Sequence, residues 1–212
     1  GHNIEIVSHK NQQPLYFHKI NNKIYAQIIN GDYCIFDGKN YQKVFDRQQF
    51  GDDNIVAAIQ LAKGRAVLCS DHHGLFMLDK ANNITKFDTE ADQQLAHEQV
   101  NRAIMTQDST LIIGTILDGI YALDLKGKLL WHYSTQSGIL NNSVLGLLCD
   151  RDNNIWAALD NGIALIHTGA PYSILIPERG ETMLGMIYAM ALTDRRAYIA
   201  TNQGLYQHDG SR

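Results

Sequence analysis

One pattern constrains this chain more than any other: the same hairpin is written five times. Residues 153–166 read NNIWAALDNGIALI, a polar turn, an apolar run, Asp-Asn-Gly and a second apolar run. Asn-Gly supplies the positive φ angles that close two antiparallel strands, so the stretch reads as a β-hairpin. LIIGTILDGIYAL from Leu111, AVLCSDHHGLFML from Ala66, AYIATNQGLYQ from Ala197 and a worn IYAQIINGDYCIF from Ile24 repeat it. The turn glycines are Gly31, Gly74, Gly119, Gly162 and Gly204, spaced by 43, 45, 43 and 42 residues. A period of about 40–45 residues with four short strands per unit is the signature of β-propeller blades.

The expected fold class is therefore all-β, a β-propeller segment of about five four-stranded antiparallel blades over residues 3–210. The blades fall near 13–46, 54–88, 100–135, 143–177 and 186–210, with an additional strand at 3–8. Runs such as LIIGTI and VLGLLC are apolar throughout, the texture of strands covered on both faces. A helix of one or two turns is expected only within residues 90–99, EADQQLAHEQ. The fifth unit stops after three strands, and residues 3–8 lack a unit of their own. Pairing of residues 4–7 with 205–208 would close a five-bladed ring and hide an edge that otherwise invites association. The alternative is an open ring whose exposed blade faces form a homodimer, in keeping with a chain that opens Gly-His and reads as a tag remnant before an excised segment.

A formal charge of −4 and a pI near 6.1, with no Lys/Arg cluster, give no footprint for nucleic acid. No apolar run approaches the roughly 18 residues of a membrane helix, so no membrane contact is expected of this segment. Cys34, Cys69 and Cys149 sit in strand-like runs and read as small buried hydrophobes; one disulfide with a thiol left over is the other arrangement.

Connections between units are long (residues 47–53, 90–99, 136–142 and 178–185), and in a four-stranded blade they emerge on the same side as the second turn. Binding groups sit on such loops. The second turns contribute Asp71, His72, His73, Asp118, Asp160, Asn161, Asn202 and Gln203 as candidate ligand-binding residues. Amides, carboxylates and imidazoles suit a small polar ligand such as an oligosaccharide, whose hydroxyls both donate and accept. Residues 150–154, DRDNN, imitate the start of a calcium loop, but Ile155 stands where Gly is required and Asn161 where Glu is. Asp71-His72-His73 could offer two imidazoles and a carboxylate to a metal, yet adjacent side chains point apart, so a solvated or ligand-facing turn is expected there. No metal and no cofactor is expected, and no metalloprotease, nucleophile-elbow or phosphate-loop motif occurs. Asp118 and Asp160 occupy equivalent turn positions, as a glycosidase pair would, although Asp before or near a turn Gly is chiefly turn chemistry. Trp156, Tyr121, Phe76 and Tyr206 are expected to hold blades together.

Residues 137–166, SGILNNSVLGLLCDRDNNIWAALDNGIALI, resemble the repeat of the two-component regulator propeller family. Leu140, Asn141, Val144, Asp150, Asn154, Trp156 and Gly162 match its pattern. The third and fifth units fit at Gly-Ile or Gly-Leu and at Thr, with Ile112 and Tyr198 in place of the Trp. The resemblance implies a periplasmic, non-catalytic sensor segment of a bacterial membrane-bound regulator, a hybrid histidine kinase or a related transcriptional regulator that responds to glycans. A protein-interaction scaffold would instead show an apolar patch without a polar pocket, and a propeller lyase or hydrolase a carboxylate–His–Tyr cluster at the axis.

Overall fold

A computed structural model describes residues 12–168, 186–193 and 196–208 of the chain. The chain divides into two compact units, Gly1–Gly169 and Ala170–Arg212. The first contains four antiparallel sheets in chain order. Sheet one is β1 (Pro14–Ile20), β2 (Lys23–Ile28), β3 (Tyr33–Phe36) and β4 (Tyr41–Phe45). Sheet two is β5 (Ile55–Gln60), β6 (Ala66–Ser70), β7 (Leu75–Leu78) and β8 (Ile84–Lys86). Sheet three is β9 (Val100–Met105), β10 (Leu111–Thr115), β11 (Ile120–Leu123) and β12 (Leu129–Tyr133). Sheet four holds β13 (Val144–Cys149), β14 (Ile155–Leu159) and β15 (Gly162–Ile166) among the described residues. In every sheet the strands pair in sequence order, and the first strands β1, β5, β9 and β13 are neighbours, as the innermost strands of propeller blades are.

The second unit is a three-stranded meander of β16 (Ile187–Leu192), β17 (Ala197–Thr201) and β18 (Gly204–His208) among the described residues. The expected strand at 3–8, its pairing with 205–208, and the fourth strand expected at 172–176 involve residues outside those described. The short helix expected within 90–99 is α1 (Asp92–His97), whose Leu95 is fully buried.

The double-sided apolar runs have a direct physical cause. Successive strand residues point to opposite faces, so along β10 Leu111 and Ile113 pack toward sheet two while Ile112 packs toward sheet four. On β6, Val67 and Cys69 join the core shared with sheet three, and Ala66 and Leu68 the core shared with sheet one. Aromatic rings dominate the latter. Phe50, fully buried, meets Tyr33 and Phe76 edge to face at 6.2 and 5.3 Å, the favourable geometry for ring quadrupoles.

Two devices recur at the repeat spacing. The first is a register shift in the pairing of each sheet's first two strands, at Pro14/Tyr16, Ile55/Ala57, Gly114/Thr115, Val144/Gly146 and Ile187/Ala189. A bulge there raises the local twist of the strand. The second is a polar tie from one sheet to the next. The buried Gln27 amide donates to the Ile28 and Gly31 carbonyls and accepts from the Ile55 N–H at 3.0 Å. The Asn101 amide donates to the Val144 carbonyl at 2.7 Å. On the opposite end, Asn21 bonds Gln60 and Gly64, and Gln107 bonds residues 150, 151 and 153.

All three cysteines are free thiols, with Cys34 and Cys69 buried as small hydrophobes; burial pushes the Cys69 thiol up to about 12. One sequence expectation is corrected. Tyr121 and Phe76 are buried in inter-sheet cores, but Trp156 is 40% exposed, and its indole N–H donates to the Asp150 carboxylate at 3.0 Å. The strand it occupies alternates buried and exposed, because sheet four packs on sheet three through one face of β14. Tyr206 lies opposite Ile199 in the second unit and is half-buried.

Phe50→Ala removes a fully buried ring at the centre of that aromatic core and should cost about 3–5 kcal/mol, whereas Trp156→Ala should cost less than about half of this; urea denaturation of the two variants gives the comparison. His18 of β1 provides a second test. Burial lowers its pKa to about 4 against a hydrogen bond to the Val56 backbone, while its Nδ1 lies 2.8 Å from the Tyr33 hydroxyl. The folded pKa lies below the unfolded value of 6.5, so the unfolded chain binds more protons between the two. Its contribution is fully present above pH 6.5 and is lost as pH falls toward 4, on the order of 2–3 kcal/mol. His18→Gln should flatten that part of the stability–pH curve relative to the parent.

Candidate functional site

The second turns of sheets two and three are built by one local rule. A hydroxyl at the end of the second strand accepts from a turn N–H and donates to the carbonyl of the turn glycine. Ser70 does so with the His73 N–H and Gly74, and Thr115 with the Asp118 N–H and Gly119. In the second unit Thr201 does the same with the Gln203 N–H and Gly204. Gly119 sits at φ +78°, where a Cβ would come within 2.1 Å of the Tyr133 carbonyl oxygen, so only glycine fits. Sheet four lacks the hydroxyl, having Leu159 there.

Within the first unit, the between-sheet connections run alongside these turns, placing them on one face. The Asp71 N–H donates to the Asn54 carbonyl, and the Val100 N–H to the Asp71 carbonyl. Leu117 accepts from the Asn142 amide, and the Gly119 and Asp160 N–H groups donate to the carbonyls of Asn142 and Ser143. The surface depression lined by Lys19, Asn21, Asn22 and Gln60 belongs to the first turns, at the other end of the sheets.

Four of the expected residues, Asp71, His72, His73 and Asp118, gather partners that sequence reasoning missed. Both Asp71 carboxylate oxygens accept from Asn54, one from its backbone N–H and one from its side-chain amide, each at 3.0 Å. The buried Asp53 carboxylate accepts from the His72 N–H at 2.6 Å and lies 3.0 Å from His73 Nδ1. The His73 carbonyl also accepts from Lys86, whose ammonium stands 5.2 Å from the Phe76 ring centroid. Asp53 and Asn54 are separated from the turn by 17–19 residues, so only the fold could reveal the pairing.

Asp118 forms the second cluster. It accepts from the Tyr121 hydroxyl, and His132 Nε2 lies 3.3 Å from its carboxylate and 2.6 Å from its carbonyl oxygen. The His132 and Tyr121 rings stack with centroids 4.1 Å apart. Burial, with the Asp118 charge beside it, pushes the Tyr121 phenol well above its ordinary range, so it stays protonated and donates. The strand alternation that puts Tyr121 and His132 opposite each other is the signal that could have found this pair.

The remaining candidates stand apart. Asp160 and Asn161 are exposed, and no side-chain hydrogen bond or ion pair joins either to Asp118 among the described residues. Asn202 and Gln203 belong to the second unit, where the Asn202 side chain accepts from the Met186 N–H at 2.9 Å. The DRDNN stretch is a hairpin turn: one Asp150 carboxylate oxygen accepts from the backbone of Asp152 and Asn154, and the other from the Asn154 amide and the Trp156 indole. These bonds hold the Asp150 carboxyl below the usual carboxylate range, the Trp156 indole foremost.

No family model and no curated protein matches the chain. Solved structures do. The extracellular domain of BT4673 from B. thetaiotaomicron, assigned to the one component systems, aligns with a TM-score of 0.55 at 15% identity over 91% of this chain. This chain spans 27% of that domain's length. Virginiamycin B lyase from Staphylococcus aureus aligns at 0.54 and 10% identity, covering 95% of this chain and 67% of the lyase. The WD40 β-propeller domain of Doa1 aligns at 0.55 and 10% identity, covering 71% of this chain and 48% of that one. At these identities the likeness establishes the fold: an all-β, β-propeller segment.

The hydroxyl rule makes a defined prediction. Thr115→Val keeps the side-chain shape but leaves the Asp118 N–H without its acceptor in a half-buried turn. It should cost about 1–3 kcal/mol, measured as a lower urea midpoint at unchanged m-value.

Proposed function

We propose that this chain is a ligand-binding propeller segment of a bacterial membrane-bound signal-transduction regulator of the two-component regulator propeller type, exposed to the periplasm or cell exterior. Its ligand is a glycan or another small polar molecule, bound without turnover. The observation that carries this reading is the alignment of 91% of the chain with a regulator's extracellular domain. Residues 137–166 add their match to the repeat of that propeller family. The loop face offers carboxylate, amide and imidazole groups from several turns on a rigid scaffold, the combination that recognises hydroxyl-rich ligands.

One observation favours a second reading. The lyase propeller covers 95% of this chain, and Asp118, Tyr121 and His132 bring a carboxylate, a phenol and an imidazole together. Screening an oligosaccharide library by thermal shift and then calorimetry separates the two. Binding of an oligosaccharide that is recovered intact supports the sensor; its cleavage supports the lyase. Asp160→Ala or Asn161→Ala should weaken binding at least tenfold, about 1.4 kcal/mol, whereas Asn22→Ala, at the other end of the sheets, should leave it unchanged. Undiminished affinity in both loop-face variants would place the ligand elsewhere.

A further inference from the structure

We propose that Asp53, Asp71 and His72 form a transition-metal site, suited to Zn²⁺, in which His73 and Asn54 orient the two carboxylates. One ligand atom from each of the three residues lies within 4.8 Å of the others. The expectation that neighbouring imidazoles diverge overlooks the tight turn between β6 and β7. It leaves His72 Nδ1 3.6 Å from Asp71 Oδ1 and His73 Nδ1 3.0 Å from Asp53 Oδ2. His72 thus faces Asp71 and His73 faces Asp53.

Charge is the stronger argument. The side chains of Asp53 and Asp71 are only 10% and 14% exposed, and two neighbouring carboxylates so placed need positive charge. Among the described residues no Lys or Arg forms an ion pair with either. A divalent cation balances both at once. The carboxylates are also held as metal ligands are held. Asn54 fixes both oxygens of Asp71, and the His72 N–H and the His73 ring fix Asp53, the outer hydrogen bonding that sets ligand orientation. Asn54 Oδ1, on the same amide that holds Asp71, is buried and accepts nothing. It is an acceptor in want of a cation or donor beside the cluster.

Imidazole with two carboxylates selects a borderline metal over Ca²⁺ or Mg²⁺, which prefer all-oxygen shells. Ligands at about 2.0–2.2 Å in a tetrahedron stand roughly 3.4 Å apart, so the site must contract by somewhat over an ångström. His72, with 49% of its side chain exposed, is free to swing inward, and water completes the shell. The Gly51 backbone lies directly against the His73 ring, where a Cβ would stand 2.6 Å from it, and backs that imidazole toward Asp53.

The test is calorimetric titration of the chain with Zn²⁺ at neutral pH, with the visible absorption of bound Co²⁺ as a second readout. One equivalent should bind, with His72→Gln and Asp71→Asn each weakening it at least tenfold and His73→Gln weakening it less than His72→Gln. His167→Gln and His97→Gln, both at exposed positions, serve as controls and should leave affinity unchanged. Melting curves check that each variant is folded; because the His72 side chain is half exposed, its variant keeps the test valid if Asp71→Asn is unstable. Absence of saturable binding overturns the proposal, as does full affinity in folded His72→Gln. An equal loss in the control variants would assign the metal to scattered surface histidines and overturn it as well.

Discussion

Everything in the first unit depends on each sheet being covered by its neighbours. A single blade of short strands has two faces and no interior, and neither face alone buries enough apolar surface to order the backbone. Sheets two and three solve this by serving two cores at once, which is why β6, β10 and β11 are buried along their whole length. Sheet four shows the converse. Leu148, Trp156 and Ile163 are 62%, 40% and 66% exposed; on β14 exposed residues alternate with buried ones, and no residue of β15 is fully buried. The polar ties of Gln27 and Asn101 sit within this packing and give it register: apolar faces alone slide, whereas a buried amide with three backbone partners accepts one position.

The loop face inherits its order from that packing. Asp71 and Asp53 come from different connections and meet because the β4–β5 segment crosses beside the β6–β7 turn, with the left-handed Gly51 ending the short helical turn Arg47–Phe50. Phe50 anchors the same segment in the aromatic core one residue earlier. The polar chemistry on the surface and the ring packing below it are thus two sides of one stretch of chain. By contrast, the carboxylates of Asp37, Asp79 and Asp124, each in the third turn of its sheet, are spent on N–H groups two to four residues ahead; those bonds lower their pKa values and leave them structural.

Much of this was legible in the amino-acid order. The spacing of the turn glycines marks the second turn of every sheet, and alternation with continuous apolar runs separates edge strands from covered ones. The sidedness of the turns follows from strand counting alone. Trp156 was misread because repeat position says which strand a residue occupies but not which face of that strand is packed. The partners of Asp71 were hidden for a different reason. Hydrogen bonds over 17–19 residues depend on which loop crosses which, and neither periodicity nor turn chemistry encodes a crossing.

The hydroxyl that threads the second turns has an evolutionary consequence. Ser70, Thr115 and Thr201, each bonded to its turn glycine, set the same backbone frame in three turns. The frame does not depend on which side chains stand between hydroxyl and glycine, and the three turns carry Asp-His-His, Ile-Leu-Asp and Asn-Gln over it. Such a segment can change what it recognises through substitutions at two or three positions per blade while its folding free energy stays nearly constant. Its affinity and its stability evolve as separate traits.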